Sequence, residues 1–189
     1  MRRDNLKMVK KNNIGNDVIF IQNVLNSIGF KVGNVDGVFG PNTERGVRQF
    51  QNTFGLKVDG IVGKETFVIL NKANNVRHFT VDEFRCRHCG SVKLDINLLL
   101  KLEELRKSVG NRPITINSGY RCPVHNRKVN GAVNSQHLYG KAADISLKDI
   151  TMKILAAKVN EVFAKGGVGY YSSFVHVDVR GYRARWNSF

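Results

Sequence analysis

Three polar residues in the C-terminal half, His137, Asp144 and His176, have the types needed to bind a metal and hydrolyse with it. They occur in Ser135-Gln136-His137-Leu138-Tyr139-Gly140-Lys141-Ala142-Ala143-Asp144 and in Phe174-Val175-His176-Val177-Asp178. Two imidazoles and one carboxylate hold Zn2+ and leave a fourth position for water, which separates a catalytic zinc from a structural one. Water in that position loses several pKa units and becomes a source of hydroxide near neutral pH. The trio therefore points to metal-assisted hydrolysis.

The elements must bring these residues together. His137 and Asp144 are too far apart for adjacent helix turns, so a loop turning at Gly140 into a strand is expected. On a strand, His176 and Asp178 share a face, because side chains alternate with a period of two. That suits a ligand beside a general base, or a ligand beside a carboxylate that orients it. Helices are expected at about Asp17–Ile28, Thr43–Phe54, Thr66–Asn71, Asp95–Ser108 and Leu147–Ala164. The first carries Val18, Ile21, Val24, Leu25 and Ile28 and the fourth Ile96, Leu99, Leu102 and Leu105, both at helical spacing. Strands are expected at Ile114–Asn117 and Asp144–Ser146, with a pair, Val168–Tyr171 and Phe174–Val179, joined near Ser172-Ser173. Strands and helices alternate without a regular βαβ rhythm, which indicates an α+β domain.

An internal repeat marks a different N-terminal region. Val35-Asp36-Gly37-Val38-Phe39-Gly40-Pro41-Asn42-Thr43 returns as Val58-Asp59-Gly60-Ile61-Val62-Gly63-Lys64-Glu65-Thr66. Asp-Gly supplies a tight turn, and the threonines are expected to cap the helices that follow. The polar stretch 73–77 reads as a linker.

The chain has 189 residues, 42% of them hydrophobic, and a net charge of +15. A packed core is feasible. The positive charge is spread over both halves and favours a polyanionic partner, an anionic cell wall or a nucleic acid. No RNA-binding, helix-turn-helix or zinc-finger signature accompanies it, so nucleic acid is not expected. No stretch approaches the roughly 20 apolar residues of a membrane span. The basic start, Met1 to Lys11, is not followed by the apolar run of a secretory signal. Synthesis in a cytoplasm without a signal peptide is expected, as is a monomer.

Gly37, Phe39-Gly40, Thr43, Phe50-Gln51, Gly55-Leu56, Val58-Asp59-Gly60, Gly63 and Thr66 resemble the peptidoglycan-binding type 1 domain. The resemblance covers residues 15–72 and implies a small three-helix bundle that binds the cell wall. Ser118-Gly119-Tyr120-Arg121, Ser135-Gln136-His137, Gly140, Ala142-Ala143-Asp144, Phe174-Val175-His176-Val177-Asp178 and Ala184-Arg185-Trp186 resemble the zinc D-Ala-D-Ala peptidases, in particular their carboxypeptidase-type branch. This likeness spans about residues 78–186. It implies an α+β fold of hedgehog/D-Ala-D-Ala peptidase type with an antiparallel sheet, and a zinc peptidase acting on peptidoglycan stem peptides. The expected organisation is a basic segment 1–14, a wall-binding domain 15–72, a linker 73–77 and a peptidase domain 78–189.

By the same resemblance His137, Asp144 and His176 become the zinc ligands. Arg121 faces the substrate carbonyl or carboxylate, where it would stabilise charge growing in the tetrahedral intermediate. One position departs from the pattern. Many relatives carry an acidic residue three positions before the third ligand, and here that residue is Ser173. Asp178 is the only acidic residue after Glu161, which makes it the candidate base; orienting a ligand or pairing with Arg180 are its alternatives.

Cys86-Arg87-His88-Cys89 and Cys122-Pro123-Val124-His125 form a C-x-x-C and a C-x-x-H. Together they offer a Cys3His set for a second zinc. A disulfide using Cys122, or plain buried thiols, are the alternatives, with a place in the active site as the other reading of His125. For His78 and His88 a solvated surface role is expected.

The reading that follows is an endolysin-like lytic enzyme in the manner of a phage lysin, a wall-binding module joined to a zinc peptidase. Cleavage of the internal L-Ala-D-Glu bond is favoured, since trimming terminal D-Ala leaves the mesh intact. A D-Ala-D-Ala carboxypeptidase, with Arg121, Arg180, Arg183 and Arg185 as candidate clamps for a free carboxylate, and a non-catalytic wall-binding protein are the alternatives.

Overall fold

A computed structural model describes residues 8–188. The part of the basic N-terminal segment before Met8 lies outside the described residues. The chain divides into two compact units between Val81 and Asp82.

The first unit holds three helices: α1 (Asn16–Ser27), α2 (Pro41–Thr53) and α3 (Lys64–Ala73). Each lies within two residues of its expected bounds. Val18, Ile21, Val24 and Leu25 of α1 are buried with Phe39, Phe50 and Leu70, so the apolar stripe does what its spacing predicts. Residues of the expected N-terminal segment join this unit, since Val9 bridges to Val62 and Ile14 to Val38.

The repeat has a structural cause, and it corrects the capping expectation. The N-caps of α2 and α3 are Gly40 and Gly63, without a side-chain cap. Thr43 and Thr66 lie three residues further on and are buried. Each accepts from a buried glutamine: Gln22 Nε2 lies 3.1 Å from Thr43 Oγ1, and Gln51 Nε2 lies 3.3 Å from Thr66 Oγ1. The same amides donate to Asp36 and Asp59, at 2.8 and 2.9 Å. Their carbonyls accept the N–H of Gly37 and Gly60, both at 2.9 Å. One glutamine thus satisfies each Asp-Gly turn, and a buried polar group left without such partners would be costly.

The second unit is α+β. Its elements are α4 (Ile96–Ser108), β1 (Ile114–Ser118), α5 (Pro123–Lys128), β2 (Ala142–Leu147), α6 (Met152–Val162), β3 (Gly167–Tyr171), β4 (Val175–Asp178) and β5 (Ala184–Ser188). A short 3-10 turn, Gln136–Tyr139, completes it, and another, Val81–Phe84, begins at the last residue of the first unit. Asp95 caps α4 by accepting the Asn97 N–H at 2.8 Å. The sheet order is β1-β2-β4-β3-β5. The first three pairings are antiparallel, as expected, while β5 adds to β3 in parallel.

The helix expected from Leu147 begins later. Leu147 still pairs with Ile114 in the β1–β2 ladder, and α6 starts only after Thr151, whose side chain accepts from Ile154 N. The pleat sorts the sheet by face. Ala143, Ile145, Val168, Val175 and Val177 share one face and are 0–1% exposed. The opposite face carries a cross-strand row, Ser118, Asp144, His176, Gly169 and Trp186, in register across all five strands.

Candidate active site

Two of the three expected ligands are direct partners in that row, since Asp144 of β2 pairs with His176 of β4. His137 arrives from the Gln136–Tyr139 turn. That turn ends at Gly140 in the left-handed region, φ 67°. A Cβ there would meet the Lys93 carbonyl oxygen at 2.2 Å, so glycine is required both for the backbone turn and for the close approach. The turn lets the chain fold back, and His137 Nε2 comes to 3.2 Å from Asp144 Oδ1 and 3.2 Å from His176 Nδ1. His176 Nδ1 lies 3.0 Å from Asp144 Oδ1. All three residues are buried.

The outer atoms of the imidazoles decide what the inner ones carry. His137 Nδ1 donates to the Gly119 carbonyl at 2.6 Å, so its Nε2 presents a lone pair. His176 Nε2 donates to Asp178 Oδ2 at 3.1 Å, so its Nδ1 does the same. Asp144 adds a carboxylate oxygen. With both imidazoles neutral, three lone pairs therefore face one another, an arrangement that calls for a cation. Ligands about 2.0–2.1 Å from a tetrahedral zinc sit ~3.3 Å apart, close to the separations seen. The donor set fits zinc and leaves one side open.

Charge around the trio supports this. Burial pushes the pKa of His137 down, keeping the imidazole neutral and ligand-competent. Burial also opposes ionisation of Asp144, but its two histidine neighbours outweigh it and hold the carboxyl far below the usual range. Arg121 pairs with Asp144 through Nη2 and Oδ2, and its Nε donates to Ser118 Oγ at 2.9 Å. Arg121 therefore stands beside the trio.

Asp178 is placed differently from the expected base. It lies behind His176, on the ring nitrogen away from the metal position, and is fully buried. Its Oδ1 accepts from Gly167 N at 2.9 Å and from Arg180 N at 3.1 Å. Arg180 also reaches it through Nε and Nη2. Burial would raise its pKa, but His176, Arg180 and the Gly167 N–H outweigh it and hold the carboxyl well below the carboxylate range. Its partner across the sheet is Ala142, and a Cβ at Gly167 would meet Asp178 Oδ2 at 2.2 Å. The small residues make room for a carboxylate that orients His176. A base at Asp178 does not fit this position. Ser173 is exposed in the β3–β4 turn.

The trio opens into a cleft of about 640 Å3. Asn117, Asn130, Asn134 and Gln136 supply neutral amides to it, and Tyr171, Phe174 and Trp186 supply rings. Residues of the Asn126–Asn134 segment do shape this groove. Trp186 reaches over the sheet because Gly169 has no side chain: a Cβ there would lie 2.3 Å from the indole. The indole stands 5.2 Å from the His176 ring, centroid to centroid, and its Nε1 donates to Tyr171 Oη at 3.2 Å. Of the four arginines considered as clamps, Arg121 and Arg180 line the cleft, each already paired with a carboxylate. Arg185 instead bonds Asn160 and the Gly166 and Phe163 carbonyls, and Arg183 does not line the cleft.

His125 is not part of this site. Its Nδ1 faces Cys86 Sγ at 3.4 Å. His88, expected to be merely solvated, places its Nδ1 3.5 Å from Cys122 Sγ. Sequence reasoning quoted Trp186 without giving it a role, and missed the tautomer-setting carbonyl of Gly119 and the strand β5 that carries Trp186.

Both units are similar to known proteins. Residues 14–70 match the family described as "putative peptidoglycan binding domain". The Zinc D-Ala-D-Ala carboxypeptidase of Streptomyces albus G is 36% identical over 166 residues, covering 78% of this chain and 64% of that protein. The spore cortex-lytic enzyme of Bacillus cereus is 40% identical over 77 residues, covering 41% of this chain and 30% of that one. The chain thus spans less than two thirds of the length of either relative. The solved SleB N-terminal domain is 43% identical, with a TM-score of 0.36, and the match covers 36% of this chain and 94% of that one. Residues 77–178, more than half of the chain and the stretch that carries His137, Asp144 and His176, match peptidase M15, and the chain belongs to that family.

Proposed function

We propose that the second unit hydrolyses peptide bonds in peptidoglycan stem peptides, using zinc held by His137, Asp144 and His176, while the first unit holds the wall. The observation that carries this reading is the convergence of three lone-pair atoms at 3.0–3.2 Å, beside an arginine and open to a cleft. Zinc bound there supplies a Lewis acid and lowers the pKa of water. The chain's residues do the rest. Gly119 and Asp178 fix the two imidazole tautomers. Arg121 keeps donors beyond those given to Asp144 and Ser118, since a guanidinium has five, and these can meet the carbonyl oxygen as negative charge grows on it. Asp144 is the one carboxylate among the cleft-lining residues and is shared with Arg121, so this reading assigns no separate acidic base. Asp178 is a positioning residue.

The lytic L-Ala-D-Glu endopeptidase is the favoured activity. It is supported by a cleft whose two arginines are already neutralised and whose remaining polar wall is amide and hydroxyl, a surface suited to the middle of a peptide rather than to a free carboxylate. A wall-binding module raises the effective concentration of the peptidase on an insoluble substrate, and a net charge of +15 favours an anionic wall. The chain is proposed to act on that wall as a monomer, without nucleic acid. Digestion of purified peptidoglycan, with new termini read by mass spectrometry, tests the bond. New N-terminal D-Glu-type ends are expected. Release of free D-Ala alone would make the enzyme a carboxypeptidase.

A further inference from the structure

A second cluster of metal-ligating atoms stands outside the cleft. The three sulfurs of Cys86, Cys89 and Cys122 lie within 4.8 Å of one another, and all three cysteines are free. Cys86 is buried, Cys122 half-buried and Cys89 exposed. Two short loops with the same internal logic supply them. In the first, the Gly90 N–H donates to the Cys86 carbonyl at 2.9 Å, as the Asn126 N–H does to the Cys122 carbonyl in the second. In the second, the N–H of His125 donates to Cys122 Sγ at 3.4 Å. The Cys122 N–H also donates to Cys86 Sγ at 3.4 Å, tying one loop to the other. Backbone donors aimed at sulfur favour the thiolate, which is the form that binds metal. Three sulfurs this close can share a single cation.

We propose that Cys86, Cys89, Cys122 and His125 bind a second zinc, of structural type. Sulfurs on a tetrahedral zinc, with bonds of about 2.3 Å, lie ~3.8 Å apart, so a set already within 4.8 Å closes with small movements. His125 is the fourth ligand because it ends the C-x-x-H loop as Cys89 ends the C-x-x-C loop, and because its Nδ1 stands 3.4 Å from Cys86 Sγ. Four protein ligands leave no open position, so the site holds structure and does no chemistry.

What it holds is the wall of the catalytic site. Residues 85–91 form neither helix nor strand, and the metal would staple them to the 119–125 segment. That segment carries the Gly119 carbonyl that orients His137 and the Arg121 that pairs with Asp144. The two are already in close register, with Tyr120 N donating to the Phe84 carbonyl at 2.8 Å. A Cβ at Gly119 would sit 2.5 Å from Phe84 Cα.

Cobalt(II) reports this site separately from the first. The His137–Asp144–His176 set contains no sulfur, so a near-ultraviolet thiolate-to-cobalt absorption can arise only at the cysteines. The full chain, stripped with chelator under reducing conditions and reloaded, is expected to take up about two equivalents of cobalt and to show that band. His176→Ala is expected to lose one equivalent and keep the band, and Cys86→Ser to lose the band. Cys89→Ser, at an exposed position, gives the same readout if the buried variant does not fold. Absence of a thiolate band from the reloaded unsubstituted chain would overturn the second site while leaving the peptidase reading standing. A band altered by His88→Gln and untouched by His125→Gln would overturn the choice of fourth ligand.

Discussion

Replacing Asp178 with asparagine separates a positioning carboxylate from a general base. The substitution keeps the shape and removes one charge at a fully buried position. His176 Nε2 then donates to a neutral amide oxygen instead of a carboxylate, and Arg180, whose side chain is 20% exposed, loses its partner. Breaking a buried ion pair costs about 3–5 kcal/mol; partial exposure of Arg180 reduces this to about 2–4 kcal/mol. Weakening a carboxylate that orients a metal-binding histidine costs 10–100-fold in metal affinity, or about 1.4–2.8 kcal/mol. The assay is zinc affinity by chelator competition, melting temperature, and turnover of peptidoglycan fragments at saturating zinc. Asp178→Asn is expected to bind zinc about 10–100-fold more weakly and to melt lower, with turnover at saturating zinc falling less than about tenfold. A general base would give the opposite pattern, unchanged zinc affinity with turnover down by about 10²–10⁴. That result would refute the reasoning.

Gly140→Ala is expected to destabilise the second unit by about 1–3 kcal/mol from its left-handed backbone alone, and more from the contact with Lys93 O; an unchanged melting temperature would contradict the turn's role. Zinc affinity should depend on pH with a definite sign. In the metal-free chain burial lowers the pKa of His176, but Asp144 and Asp178 outweigh it and raise it above the ordinary value. Metal binding displaces that proton, so chelator competition across pH should show affinity rising about tenfold per pH unit below that raised value and levelling above it. Affinity independent of pH from mildly acidic to alkaline conditions would contradict this assignment.

The helices were legible because apolar stripes such as Val18, Ile21, Val24 and Leu25 are local signals of burial. The candidate trio His137, Asp144 and His176 could be named from residue type and motif, and the fold brings the three together. What escaped was set by partners distant in sequence. Thr43 and Thr66 read as caps, but their hydroxyls answer to Gln22 and Gln51, and the caps are glycines. Strand β5 was missed because Ala184–Ser188, at the edge of the sheet, holds a single large apolar residue, Trp186, and so no apolar alternation to read. Period two placed Asp178 on the face of His176 correctly, yet it does not say which ring nitrogen the carboxylate meets. That nitrogen is Nε2, on the side away from the metal position, and it turns a candidate base into a positioning group. The Gly119 carbonyl had no residue-type signature at all.

The most direct test measures soluble peptide released from purified peptidoglycan by the full chain as prepared, after chelation, and after zinc is restored, with His176→Ala in parallel. Release that is abolished by chelation, recovered with zinc and absent from His176→Ala is the predicted result. Release that survives complete zinc removal, or persists in His176→Ala, would contradict the central claim that zinc on His137, Asp144 and His176 performs the hydrolysis.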